Sequence, residues 1–179
     1  PDRVPFEERR GCVFRCTFCS YHTANLHRQK SSRRMVAELQ NLKSFGINSV
    51  NFTGAEFLAP PKKTKETLKL IREADLGMDL AGYARIDILH QQPEMIDLLK
   101  EAGFSALYFG VESGDETILK AMNKKFSVKT SLSSVIDQLR GRAIDVWASF
   151  IFGYPGETKE TIRNTTDFII DRNFNLIVA

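Results

Sequence analysis

The stretch DLAGYARIDILHQQPEMIDLLKEAGFSALYFGVE, residues 79–112, holds one full strand–helix–strand unit. Asp79 to Ala84 reads as a strand. Glu94 to Ala102, behind Pro93, reads as a helix closed by Gly103, and Ser105 to Val111 is a strand rich in aromatic and aliphatic residues. The same alternation extends in both directions. Toward the N-terminus, Asn48 to Thr53 is a strand and Thr64 to Leu76 a helix that Gly77 ends. Ser31 to Phe45 is a helix with Met35, Leu39 and Leu42 at helical spacing, and Val4 to Arg10 is a first strand. Toward the C-terminus, Asp115 to Met122 and Val128 to Leu139 are helices and Ile144 to Phe152 is a strand. Glu157 to Asp171 is a helix, and Asn175 to Ala179 opens a sixth strand. Strands alternating with helices predict a parallel sheet built of βα units with right-handed crossovers.

The 179 residues suit one domain, and 42% hydrophobic with 26% charged residues excludes a disordered tail or a fibre. No apolar run reaches the roughly 18 residues of a membrane span. A net charge of +3 does not by itself indicate a nucleic-acid partner. The chain starts at Pro1 and stops on the apolar run Asn175 to Ala179, an edge that would invite aggregation if left bare. That pattern leads us to expect residues 1–179 to form one domain of a longer polypeptide.

In parallel α/β folds the chemistry gathers just beyond the carboxyl ends of the strands. After the first strand comes Cys12-x3-Cys16-x2-Cys19, which holds all the cysteines of the chain. Three thiolates on one short loop suit a [4Fe–4S] cube with one iron left open to a small molecule. Zinc on Cys12, Cys16, Cys19 and His22 is one alternative, as a structural staple in a binding module of another functional class, and three buried cysteines without a metal are another. An odd, clustered set argues against structural disulfides and suits a reducing, cytoplasmic compartment. After the second strand, Thr53-Gly54-Ala55-Glu56 combines small residues with a carboxylate suited to an ammonium or to ribose hydroxyls. After the third, Arg85 could grip a carboxylate bidentately or pair with Asp87 or Glu56. After the fourth, Glu112 and Ser113 offer acceptors and a donor, or Ser113 and Asp115 cap the next helix. After the fifth, Phe152 and Tyr154 flank Gly153 and could hold a flat base. The basic residues Arg28, Lys30, Arg33 and Arg34 read as a solvated helix start. His27, His90 and Trp147 are assigned to surface or packing.

Taken together, these motifs resemble the radical S-adenosylmethionine (SAM) superfamily from Arg9 to about Phe168. The cysteine spacing matches, Phe18 matches the aromatic residue before the third cysteine, and Thr53 to Glu56 is similar to the Gly-Gly-Glu motif. Tyr108 to Gly114 with Ile118 to Asn123, and Gly153 to Thr158, resemble signatures of a subgroup. That subgroup contains cobalamin-dependent methyltransferases, methylthiotransferases and ring-forming enzymes. Ala55 stands where the family has a second glycine, and Val13 and Phe57 stand where many members have proline.

The resemblance implies a partial (β/α)6 TIM-like barrel, open on one side. It implies a cluster on Cys12, Cys16 and Cys19, with Thr53, Gly54, Ala55, Glu56, Arg85, Glu112 and Ser113 around SAM's polar groups and Phe18, Phe152 and Tyr154 along its adenine. It also implies reductive cleavage of SAM to a 5′-deoxyadenosyl radical, driven by a one-electron reductant such as flavodoxin or ferredoxin. A small-molecule or peptide substrate, methyl transfer, and cobalamin carried by a part of the protein outside this segment complete the expectation.

Overall fold

Each strand predicted from the sequence is present, and the six lie side by side in one parallel sheet. The structure is a computed structural model that describes residues 3–21, 26–172 and 174–178; His22, and with it the fourth zinc ligand weighed above, lies outside the described residues. In chain order the elements are β1 (Val4–Phe6), β2 (Arg9–Arg10), β3 (Arg28–Gln29), α1 (Ser32–Ser44), β4 (Ser49–Phe52), α2 (Pro61–Ala74) and β5 (Asp79–Ala84). There follow α3 (Ile86–Gln91), α4 (Glu94–Glu101), β6 (Phe104–Glu112), α5 (Glu116–Ala121), a π turn (Val128–Leu132), α6 (Ser133–Arg140), β7 (Asp145–Phe150), α7 (Lys159–Arg172) and β8 (Leu176–Val178). The sheet order is β1-β4-β5-β6-β7-β8, with every pairing parallel and β1 and β8 at opposite edges.

Burial alternates along the strands and sorts the sheet into two faces. Leu107, Phe109 and Val111 of β6 and Val146, Ala148 and Phe150 of β7 join one core with Met35, Leu39, Leu68, Leu99 and Leu139 from the helices. The intervening Tyr108, Gly110, Trp147 and Ser149 are only half-buried. Helices therefore cover one face, and the other is the concave interior of a partial barrel, lined by polar and aromatic side chains. At its floor Arg3 pairs with Asp79 at 2.9 Å and donates to Ser105 at 2.9 Å.

Four departures from the sequence reading have local causes. The first strand does not run to Arg10: β1 ends at Phe6, and β2 leaves the sheet to pair antiparallel with β3. The Glu8 carbonyl accepts from the Lys30 amide there, so this two-stranded strap closes off the excursion that carries the cysteines. Helix α2 begins at Pro61, three residues early, because proline at the first helical position sacrifices no bond. A short helix, α3, follows β5 directly, with Arg85 at its N-cap. The helix expected from Val128 opens with one wide turn, in which the Leu132 amide reaches the Ser127 carbonyl at 3.3 Å.

Candidate active site

The cysteine loop has little secondary structure of its own, and it is held by the elements around it. The Thr17 amide donates to the Met122 carbonyl at 3.2 Å, and the Asn123 side chain donates to the Arg15 carbonyl at 2.7 Å. The Thr17 hydroxyl meets the Tyr154 hydroxyl at 2.6 Å, and both reach the Ala121 carbonyl, at 3.1 and 3.2 Å. Two segments that read as signatures, Ile118 to Asn123 and Gly153 to Thr158, thus serve here as the dock for the loop. The turn that carries Tyr154 is itself closed by Glu157, whose carboxylate accepts from the Gly153 and Tyr154 amides.

Cys12, Cys16 and Cys19 line one cleft of about 220 Å³ at the carboxyl ends of β4, β5 and β6, together with Phe14, Phe18, Ala55, Glu56, Arg85 and Glu112. Tyr83, Tyr108, Gly110, Lys124 and Ser149 complete much of its wall. All three cysteines are free thiols. Burial pushes the Cys12 thiol up, with Glu56 and Cys16 adding to the effect. A cation bound there would reverse that balance, since coordination deprotonates a thiol.

Glu56 is the most telling carboxylate. It is 2% exposed; one oxygen accepts from the Leu58 amide at 2.7 Å, and the other, Oε2, is buried without a hydrogen-bond partner. Burial pushes its pKa up to about 8 against the pull of the Leu58 amide, Arg85 and Arg9. An unsatisfied buried carboxylate oxygen on a cleft wall is poised for a cationic ligand.

The loop that carries Glu56 is pinned from below. The Glu8 carboxylate accepts from the Gly54 amide at 2.9 Å, and Arg9 donates to the carbonyls of Phe57 and Ala59. Arg9 Nε and Glu8 Oε1 stand 3.3 Å apart, but too poorly aligned to hydrogen-bond. Burial raises the Glu8 pKa and lowers that of Arg9. Gly54 is obligatory, because a Cβ there would overlap the Glu8 carboxylate and the Arg9 stem. Thr53 and Gly54 are therefore bound to the strands beneath, the Thr53 amide donating to Phe6 at 3.0 Å, and only Ala55 and Glu56 of that motif reach the cleft.

Arg85 reaches the cleft with its fork already used. Nε and Nη2 bind Asp87 at 3.0 and 2.8 Å, Nη1 lies 3.5 Å from Cys16 Sγ, and the guanidinium stacks 4.0 Å from the Phe14 centroid. It is not free to grip a ligand carboxylate bidentately, so the alternative Arg85–Asp87 pairing is the one realised. The register slips between Gly110 and Glu112, and Glu112 takes φ 72°, a left-handed conformation unusual for a side-chain-bearing residue. Its carboxylate folds back over Gly110 and pairs with Lys124 at 3.0 Å; Lys124 also donates to the Gly110 carbonyl at 2.9 Å and lies 5.6 Å from the Phe18 ring.

The structure does not bring every predicted site residue to the cleft. Ser113 is fully buried behind it, with its hydroxyl 3.1 Å from Thr165 Oγ1 and accepting from the Asp115 amide, while Asp115 caps α5. Phe152 is 40% exposed and stands outside the lining, and Tyr154 spends its hydroxyl on the cysteine loop. Of the basic residues around the start of α1, Arg28, Arg33 and Arg34 are exposed as expected, whereas Lys30 is half-buried over the Phe6 ring; Lys30 and Arg34 share Glu38.

Fit to a cluster rests on the donor set. Three thiols and no fourth cysteine line the cleft, one sulfur has a guanidinium donor, and Glu56 of the same lining offers an unpaired carboxylate oxygen. Among the described residues no three acidic, histidine or cysteine side chains converge on a single metal ion. No helix of the described residues is long and apolar enough to cross a membrane.

Fold and site together define a class: a parallel βα domain that gathers clustered thiols and a buried carboxylate at the carboxyl edge of its sheet. The chain belongs to the radical SAM superfamily, whose family profile matches residues 9–169. That membership decides against the zinc-stapled binding module. The chain is 28% identical over 173 residues to an uncharacterized methyltransferase of Pyrococcus horikoshii, covering 93% of this chain and 37% of that protein. It is 30% identical over 173 residues to the tRNA-2-methylthio-N(6)-dimethylallyladenosine synthase of Jannaschia sp., covering 90% of this chain and 37% of that one. Among solved structures it superposes on the radical SAM methyltransferase TsrM of Kitasatospora setae, determined with cobalamin and a [4Fe-4S] cluster bound. The TM-score is 0.89 at 21% identity, over 98% of this chain and 33% of that one. The chain thus spans about a third of the length of these relatives.

Proposed function

We propose that this domain binds a [4Fe–4S] cluster through Cys12, Cys16 and Cys19, binds SAM beside it, and cleaves SAM reductively for methyl transfer. The observation that carries the reading is the cleft that joins three free thiols to the unpartnered Glu56 oxygen. When bound, the cluster would supply the electron that breaks SAM's sulfonium carbon–sulfur bond. The chain's own residues do the rest. Glu56 meets the ligand's ammonium, and on doing so passes from its protonated to its charged form and releases a proton. Lys124 and Glu112 form a preset ion pair on the cleft lining. Phe14, Phe18 and Tyr83 narrow the cleft against water. Arg85 steadies the Cys16 sulfur, and Tyr154 clamps the loop through Thr17.

Methyl transfer is favoured by the methyltransferase relative, with cobalamin held by a part of the protein outside these residues, a small-molecule or peptide substrate, and a flavodoxin- or ferredoxin-like reductant. Methylthio transfer is the second reading, favoured by the 30% identical tRNA-modifying relative. Anaerobic reconstitution of the full-length protein tests the first part: four irons and four sulfides per site are expected. About one zinc and no sulfide would overturn it. Incubation with SAM, reductant and cobalamin tests the second. Release of 5′-deoxyadenosine without any cobalamin signature in the absorption spectrum would refute cobalamin-dependent methyl transfer and leave the radical reading standing.

A further inference from the structure

Beside the cysteine cleft, on the concave face of the sheet, lies a second cavity of about 220 Å³. The two share Tyr83, Tyr108, Gly110 and Ser149, so the chamber opens onto the cleft at the carboxyl ends of β5, β6 and β7. Its wall is an aromatic row that spans three adjacent strands. Tyr83 stacks on Tyr108 at 5.0 Å and 29°, and Tyr108 meets Trp147 edge-on at 4.4 Å and 87°. Leu176 and Val178 of the exposed edge strand border its far side. Among the described residues no acidic, basic or histidine side chain lines it. Trp147 is braced from the floor of the barrel by Arg3, whose guanidinium carbon lies 5.5 Å from the ring centroid.

These features constrain an occupant. A charged group would lose its hydration here and find no partner. An aliphatic group would use the apolar surface and ignore the aligned planes. A ring gains offset-stacked or edge-to-face contacts with aromatic walls already fixed in position, at little ordering cost. A dry cavity of roughly 150 Å³ suffices for benzene, so this one has room for a fused ring. Ser149 stands where chamber and cleft meet and offers a polar anchor there, beside the tyrosine hydroxyls.

We propose that this chamber seats the reacting substrate, and that the substrate presents an uncharged, planar aromatic group against Tyr83, Tyr108 and Trp147, with its reacting atom at the Ser149 mouth. The substrate role rests on the function proposed above; the ring selectivity rests on the chamber alone. The test is saturation-transfer NMR on the full-length reconstituted protein, with indole as the aromatic probe and cyclooctanol as a ring-shaped probe without π electrons. Indole should show strong transfer and cyclooctanol at least fivefold less. Trp147→Leu, which removes one aromatic wall, and Leu176→Trp, which fills the chamber from the exposed edge strand, should each cut the indole response at least fivefold. The second variant keeps the test decisive if the first unfolds. Indole transfer that survives Leu176→Trp, or equal transfer from cyclooctanol, would overturn the proposal. SAM cleavage by the wild-type protein is read separately: selective indole binding without any 5′-deoxyadenosine would keep the ring site and overturn its role as a substrate seat.

Discussion

Replacing Lys124 with methionine isolates the most buried ion pair of the cleft. Lys124 and Glu112 retain only 5% and 10% of their side-chain exposure, at 3.0 Å separation. At an effective dielectric of about 20, two unit charges at that distance attract by roughly 5 kcal/mol, and that attraction offsets the cost of removing both from water. Lys124→Met keeps the length and shape of the stem but leaves the Glu112 carboxylate buried and alone, and takes the charged donor from the Gly110 carbonyl. Breaking a buried pair in this way costs about 3–5 kcal/mol. Adding Glu112→Gln removes the stranded charge and should return the protein to within about 2 kcal/mol of wild type. Urea unfolding of wild type, both single variants and the double variant yields the coupling energy, and repeating it in high salt should change that energy little, because buried pairs are weakly screened. If Lys124→Met loses less than about 1 kcal/mol, or if the double variant is no more stable than Lys124→Met alone, then Glu112 is solvated and the preset pair is not a feature of the cleft.

Three further outcomes follow from neighbouring residues. Glu56 has a folded pKa of about 8 against 4.5 for the free group, so the folded state keeps a proton that the unfolded state has lost across that window. Stability without ligand should therefore fall as pH rises from 5 to 8, by about 3–4 kcal/mol; Glu56→Gln should flatten the profile and exceed wild type at pH 8, and an unchanged slope in thermal melts would contradict the assignment. Tyr154→Phe removes the hydroxyl that meets Thr17 and Ala121, at a cost of about 1 kcal/mol, and should speed amide exchange in the cysteine loop while leaving α4 unaffected. Arg85→Met deletes the donor on Cys16 Sγ and should move the cluster's reduction potential to a more negative value in an EPR-monitored titration, with Arg85→Lys falling between.

How much of this was legible in the sequence depends on which physical signal each residue carries. The βα order survived intact because each helix has a 3.6-residue apolar period and a glycine or polar stop, both local properties. Cysteine spacing announced the loop for the same reason. What the sequence hides is the partner of a side chain. Glu8 and Arg9 read as the tail of a strand, because nothing local reveals that the chain leaves the sheet at Glu7 and turns both side chains under the Gly54 loop. Lys124 carries no pattern that singles it out in the sequence, yet the slip at Gly110 carries Glu112 back to meet it. Tyr154 was placed along a nucleobase for its ring, while the structure uses its hydroxyl.

The strand aromatics mark the deepest limit. Alternation along β6 and β7 tells which residues share a face, but not whether that face meets helices or open space. Trp147 and Val146 look equally like core in the sequence; Val146 is fully buried beneath the helices, and Trp147 borders the chamber. A partial barrel makes the difference, because its concave face is too short of side-chain volume to fill itself. Large aromatic residues on such a face cannot be explained by packing against the helical layer. Their alignment on β5, β6 and β7, next to a cleft with clustered thiols, is what gives the interior of this domain a specificity that its signature motifs do not encode.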